Sequence, residues 1–182
     1  MPAVVVPFRA ENAKRRLSPA PDDVRTALAT AMLDDVLAAC EAVGTTVVAA
    51  GEEGQGEAVS AALWEIDERP ILVVNADLPC ARPRDLLTLL GALPENGLAL
   101  VEAADGTTNA LALAAPQLFA PLYGPGSAAR FRARAGKLGV PAATAKIPNL
   151  AEDVDTLADL EGLEERLGPA TAAALDRLRL AR

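Results

Sequence analysis

The chain has 182 residues, 51% of them apolar and 23% charged, a balance that excludes wholesale disorder and predicts one folded domain over 1–182. Acidic residues outnumber basic ones 25 to 17, giving a net charge of −8 and a pI near 4.6, which argues against a phosphate-neutralising nucleic-acid surface. There is no histidine, so Ser-His-Asp and Cys-His catalysis, an imidazole base and most zinc sites are excluded.

In chain order, Ala3-Val4-Val5-Val6 predicts a first strand buried on both faces and ended by Pro7. A polar loop from Phe8 to Pro21 follows. Asp22 or Asp23 is expected to cap a helix with Val24, Leu28, Met32, Val36 and Cys40 on its apolar face, and Gly44 is expected to end it. Thr46 to Ala50 predicts a second strand. A loop over Gly51 to Gly56 leads to a helix through Leu63 and Ile66, stopped by Pro70. Ile71 to Val74 predicts a third strand. The resulting βαβαβ order implies a parallel sheet with right-handed crossovers and helices on both faces. Arg82 to Leu90 predicts a third helix. The apolar runs Gly97–Val101 and Asn109–Leu113, separated by Asp105-Gly106, predict an antiparallel hairpin. A helix from Ala128 to Leu138, a strand near Thr144 to Ile147 and two terminal helices complete the reading, the last helix opened by Gly168-Pro169. These terminal helices pack on the core or on a second copy, so a homodimer stays open.

Cys40 and Cys80 are too few for a disulfide framework and lack metal-site spacing. No apolar run is long enough to span a bilayer, and the start has no basic n-region. A soluble protein of a reducing compartment, the cytoplasm, is expected, with no membrane and no nucleic acid as partner.

In open parallel sheets ligands bind outside the carboxyl ends of the strands, and the chemistry-bearing residues are sought there. Arg9, Lys14, Arg15 and Arg16 put four of the 17 basic residues within eight positions of an acidic chain. They suit a polyphosphate, lysine as a point charge and arginine as a planar fork, or else form a solvated basic loop. Asp77, directly after the third strand, either holds a hard cation or is a turn residue before Pro79. In an extended segment Asp153 and Asp155 project to one side and could converge on the same ion while Val154 faces inward. The alternative is helix capping by Thr156 with Asp159, which has no use for Asp153. Gly124-Pro125-Gly126-Ser127 before a helix offers N–H groups to an anion, or Ser127 is a plain N-cap. Asp105 to Asn109 is a turn, or a cleft rim offering hydroxyl and amide donors to a carboxylate.

The order of these pieces is more specific than any one of them. Val5-Val6-Pro7 with Ala13-Lys14-Arg15-Arg16-Leu17, Asp77-Leu78-Pro79, Thr108-Asn109-Ala110-Leu111 and Phe119 through Ser127 together resemble the guanylyltransferases that activate 2-phospholactate or phosphoenolpyruvate in coenzyme F-420 biosynthesis. The similarity runs from Val4 to about Leu160. It implies a Rossmann-like, GT-A-type α/β nucleotidyltransferase fold in a single domain, with a mostly parallel sheet, an antiparallel addition and helices on both faces. It implies GTP and a phosphorylated three-carbon acid as substrates, with Mg²⁺ as cofactor. Arg9, Lys14 and Arg16 would contact the nucleotide phosphates, with Arg9 standing where the family usually has lysine. Asp77, Asp153 and Asp155 would hold the metal, and Lys14, Arg16 and Asp77 would carry catalysis. Thr108, Gly124 and Ser127 would hold the acid. Nucleotidyl transfer to another phosphorylated acceptor and a non-catalytic nucleotide sensor on the same fold are the alternatives.

Overall fold

The computed structural model describes residues 1–9, 17, 20–51 and 54–180. In chain order its elements are β1 (Ala3–Pro7), α1 (Asp22–Glu41), β2 (Thr45–Ala49), α2 (Gln55–Trp64), β3 (Ile71–Val74), α3 (Pro83–Gly91), β4 (Leu98–Glu102), β5 (Thr108–Leu113), α4 (Ser127–Leu138), β6 (Ala142–Thr144), α5 (Pro148–Ala151), α6 (Leu157–Gly162) and α7 (Pro169–Leu180). The strands form one sheet in the order β2-β1-β3-β5-β4-β6. β1 pairs in parallel with β2 and β3, and β4 with β6. Among the described strands β5 alone runs the other way, antiparallel to β3 and to β4. The expected hairpin forms, but β5 inserts between β3 and β4, so its beginning lies at the edge where β1 and β3 end.

Strand periodicity sorts the core into two layers. Val5, Val73, Leu98, Leu100, Leu111 and Leu113 face α2 and α4, where Val59, Leu63 and Phe131 pack. Val4, Val6, Leu72, Val74, Ala99 and Ala110 face α1, α3 and α5. A third cluster joins Leu28 and Met32 of α1 to Cys80, Val154 and Leu160. Burying each of the valine and leucine side chains among these contributes about 1.5–3 kcal/mol, which outweighs the modest helical propensity of the short elements. α7 lies on α1 of its own chain: the N–H groups of Ala170 and Thr171 donate to the buried carboxylate of Asp35, at 3.0 and 2.8 Å.

Several boundaries differ from expectation. Pro21 occupies the N-cap of α1, and Asp22 sits inside the first turn, paired with Arg25. The helix ends at Ala42, and Gly44 is needed for closeness: a Cβ there would lie 2.1 Å from the Pro2 carbonyl oxygen. Ile66 falls beyond α2, and its burial comes from the sheet rather than from helical periodicity. The last strand is earlier than expected, Ala142–Thr144, because the backbone follows β4, and Ile147 instead opens the short α5.

Candidate active site

The edge formed by the ends of β1 and β3 and the start of β5 gathers the polar residues. β1 delivers Phe8 and Arg9, and β3 delivers Asn75 and Asp77. These line a cleft of about 270 Å³ together with Met32 of α1 and Gln55 of α2. Arg9 is exposed at its mouth. Lys14 and Arg16, with Arg15, lie outside the described residues.

Asp77 meets Asp153 and Asp155 from nearly 80 residues further along the chain. One carboxylate oxygen of each lies within 4.8 Å of the others, and all three side chains are half-buried. The Val154 N–H donates to the Asp77 carbonyl at 3.0 Å, pinning the two segments backbone to backbone, and the fully buried Val154 side chain anchors the junction. The extended conformation of 153–155 thus sends its two carboxylates to one side, as alternation requires. Capping is present as well. Thr156 accepts from the Asp159 N–H at 3.2 Å, and Asp159 accepts from Thr156 at 2.6 Å and from the Asp155 N–H at 3.0 Å. The capping box therefore uses Thr156 and Asp159 and places Asp153 and Asp155 without involving their carboxylates.

Three carboxylates this close repel one another. Burial, and next the charge of Asp77, push the Asp153 carboxyl above its ordinary range, opposed by a hydrogen bond from Asn109. An all-oxygen, triply anionic set of this kind fits a hard divalent cation, whose charge removes the repulsion.

Thr108 and Ser127 are brought together, but as a mutually bonded, buried pair. The Thr108 N–H donates to Ser127 Oγ at 2.9 Å, and Ser127 Oγ donates to Thr108 Oγ1 at 3.2 Å. Ser127 is inside α4; the N-cap is Gly126, in the left-handed region at φ 70°. Gly124, at φ 103°, is half-buried in the preceding turn. The N–H groups of Ser127 and Ala128 are taken by the carbonyls of Gly124 and Gly106. Arg130, exposed on α4, donates to the carbonyls of Leu122, Tyr123 and Pro125 and ties this turn to its own helix.

Two further residues act at this edge: Asn75 carries no expectation from the sequence, and Asn109 is expected there only as part of a turn or of a cleft rim offering donors to a carboxylate. Asn75 donates to the Thr108 carbonyl at 3.3 Å and accepts from Gln55 Nε2 at 2.6 Å. Asn109, 2% exposed within a strand of alanine and leucine, donates from Nδ2 to Asp153 Oδ1 at 3.2 Å. The signal for Asn109 was an amide in an apolar strand, where an unsatisfied polar group costs about 1–3 kcal/mol. The partner was hidden because it lies 44 residues away.

Known proteins agree with this architecture. Residues 10–141 match the MobA-like NTP transferase domain. The chain is 35% identical over 210 residues to a phosphoenolpyruvate guanylyltransferase of Streptomyces coelicolor, covering 98% of this chain and 97% of that one. It is 34% identical to a 2-phospho-L-lactate guanylyltransferase of Natrialba magadii, covering 86% and 80%. A phosphoenolpyruvate guanylyltransferase of Sphaerobacter thermophilus is 44% identical over a shorter stretch, 51% of this chain and 45% of that protein. Among solved structures, a protein of the nucleotide-diphospho-sugar transferase type from Desulfovibrio desulfuricans superposes with a TM-score of 0.74 over 98% of this chain and 95% of its own, at 14% identity, which is a likeness of fold. With residues 10–141 matched and full-length relatives above 30% identity, the chain belongs to the MobA-like NTP transferase family, in the group of phosphoenolpyruvate and 2-phospho-L-lactate guanylyltransferases.

Proposed function

We propose that this chain, as one nucleotidyltransferase domain, transfers GMP from GTP to the phosphate of phosphoenolpyruvate or 2-phospho-L-lactate, releasing pyrophosphate, in coenzyme F-420 biosynthesis. The observation that carries this reading is the meeting of Asp77, Asp153 and Asp155 beside the cleft that holds Arg9. In this reaction an oxygen of the acid's phosphate forms a bond to the α-phosphorus of GTP, and the bond from that phosphorus to the pyrophosphate oxygen breaks. The second ionisation of a phosphate monoester falls at about pH 6, so the nucleophile arrives deprotonated and needs no general base. A chain without histidine is suited to such chemistry, whose demands are alignment and charge cancellation.

In this reading Asp77, Asp153 and Asp155 hold Mg²⁺, which when bound spreads the charge on the reacting phosphates. Arg9, Lys14 and Arg16 bind the phosphates of GTP, and Lys14 and Arg16 stabilise the departing pyrophosphate. Gly124 and the Thr108–Ser127 pair shape the pocket for the acid. The net acidic balance of the chain makes these local cations necessary, because the global field opposes two anionic substrates.

A pyrophosphate-release assay crossing GTP and ATP with phosphoenolpyruvate, 2-phospholactate and 3-phosphoglycerate tests the reading. Release that requires GTP together with phosphoenolpyruvate or 2-phospholactate is expected, abolished by excess chelator. Calorimetric binding of GTP without release with any acid would instead establish a nucleotide sensor.

A further inference from the structure

β5 reads Thr-Asn-Ala-Leu-Ala-Leu, with Leu111 and Leu113 on the layer of α2 and α4 and Ala110 and Ala112 on the opposite layer. Unbroken alternation would put Asn109 on the leucine side and Thr108 on the alanine side. The pairing with β4 does not run unbroken. Val101 lies opposite Ala110, yet the next residue, Glu102, lies opposite Thr108. Asn109 is therefore the extra residue of a β-bulge, a device that re-aims side chains. Thr108 consequently reaches Ser127 of α4, on the leucine side, while Asn109 reaches Asp153 on the other.

The backbone of Asn109 joins the other arm of the cluster. Its carbonyl accepts from the N–H of Asn75 at 3.0 Å, two residues before Asp77. One residue is thus bonded to both arms of the carboxylate group, by main chain to the Asn75–Asp77 turn and by side chain to Asp153. An amide N–H on one carboxylate oxygen restricts rotation of the group and leaves its charge in one orientation.

The geometry points to Asn109 as a positioning residue that sets the Asp153 carboxylate for a divalent cation, with the bulge in β5 as the feature that aims it. This inference rests on Asp77, Asp153 and Asp155 forming a divalent-cation site, as in the proposed function. A merely structural asparagine would satisfy its own polarity and leave metal affinity alone.

The test is Mn²⁺ titration of the free chain by electron paramagnetic resonance, without nucleotide. Asn109→Leu keeps similar volume and removes the donor. It is expected to raise the Mn²⁺ dissociation constant about tenfold, the scale of losing an outer partner of a metal ligand. Asp35→Ala, which loses the buried carboxylate that accepts from α7 and is not one of the three in the cluster, serves as a stability control and is expected to leave Mn²⁺ affinity unchanged. Wild-type affinity in Asn109→Leu, or an equal loss in Asp35→Ala, overturns the inference. If the leucine variant does not fold, Asn109→Ser decides by the same criterion. Because no nucleotide is present, weakened Mn²⁺ binding with no guanylyl transfer in the wild type sustains the inference while the proposed reaction falls. Guanylyl transfer with unaltered Mn²⁺ binding in Asn109→Leu does the reverse.

Discussion

Asp77 joins two roles at one position: it follows the central strand β3 and faces two carboxylates from the far end of the chain. Replacing it by asparagine keeps shape and removes charge. Asp77→Asn is expected to lower the rate of pyrophosphate release at saturating Mg²⁺ by at least about a hundredfold, the scale of losing a preorganised electrostatic contact. Steady-state kinetics beside a thermal unfolding curve check this, and a near-normal rate in a folded variant removes Asp77 from the site. At this scale Asp77, Asp153 and Asp155 were legible as candidates, because ligands of such sheets bind outside the carboxyl ends of the strands and residues two apart in an extended segment project to one side. Asn109 was not legible as a partner of Asp153, because its direction depends on a bulge that local alternation does not announce.

Among the elements, the segment from Pro116 to Gly126, regular only in a 3-10 turn at Pro116–Leu118, shows how a loop is held. Phe119, Tyr123 and Phe131 form an aromatic cluster beneath it, with ring centroids 5.7–6.1 Å apart. Arg134 donates to the carbonyls of Gln117, Leu118 and Phe119, and Arg130 to those of Leu122, Tyr123 and Pro125. α2 touches the same loop at Gly56, where a Cβ would lie 2.5 Å from Pro121 Cβ. A lysine at 130 has a single ammonium and cannot span three carbonyls as the guanidinium fork does. On the proposed reading, in which Gly124 shapes the acid pocket, Arg130→Lys is expected to raise KM for the acid about tenfold, the scale of one lost charge-assisted hydrogen bond, and to leave KM for GTP unchanged. Initial rates with each substrate varied in turn separate the two; a rise in both, or in neither, contradicts it. The helix α4 was legible from its glycine-rich start, but its clamp was not, since exposed arginines read equally well as solubilising charge.

For the whole molecule, a buried thiol and a half-buried phenol link stability to alkaline pH. Burial first, and the charge of Glu41 second, push the Cys40 thiol up to about 12 from an ordinary 9.0. Burial also raises the Tyr123 hydroxyl above its ordinary value. Above about pH 9 the unfolded thiol releases its proton while the folded one keeps it, so the unfolded state binds fewer protons and stability falls as pH rises. The loss attributable to Cys40 is about 1.4 kcal/mol per pH unit across that window, and it is absent at neutral pH. Urea unfolding at neutral and alkaline pH checks this: Cys40→Ala should show a shallower alkaline decline than the wild type, and identical slopes contradict it.

The sequence by itself determined the α/β class, the early βαβαβ unit, the hairpin at Asp105-Gly106 and the absence of imidazole chemistry. Each follows from composition, from hydrophobic periods of two or near four, or from turn residues, all local properties. Tertiary structure decided the rest. It put β5 between β3 and β4, which brings Thr108 and Asn109 to the edge where β1 and β3 end. It set α7 on α1 through Asp35, and drew Asp153 to Asp77 through the Val154–Asp77 backbone bond. These outcomes depend on contacts between residues far apart in the chain, and strand order and bulge register are chosen by how the assembled layers bury their apolar faces rather than by any neighbouring residue.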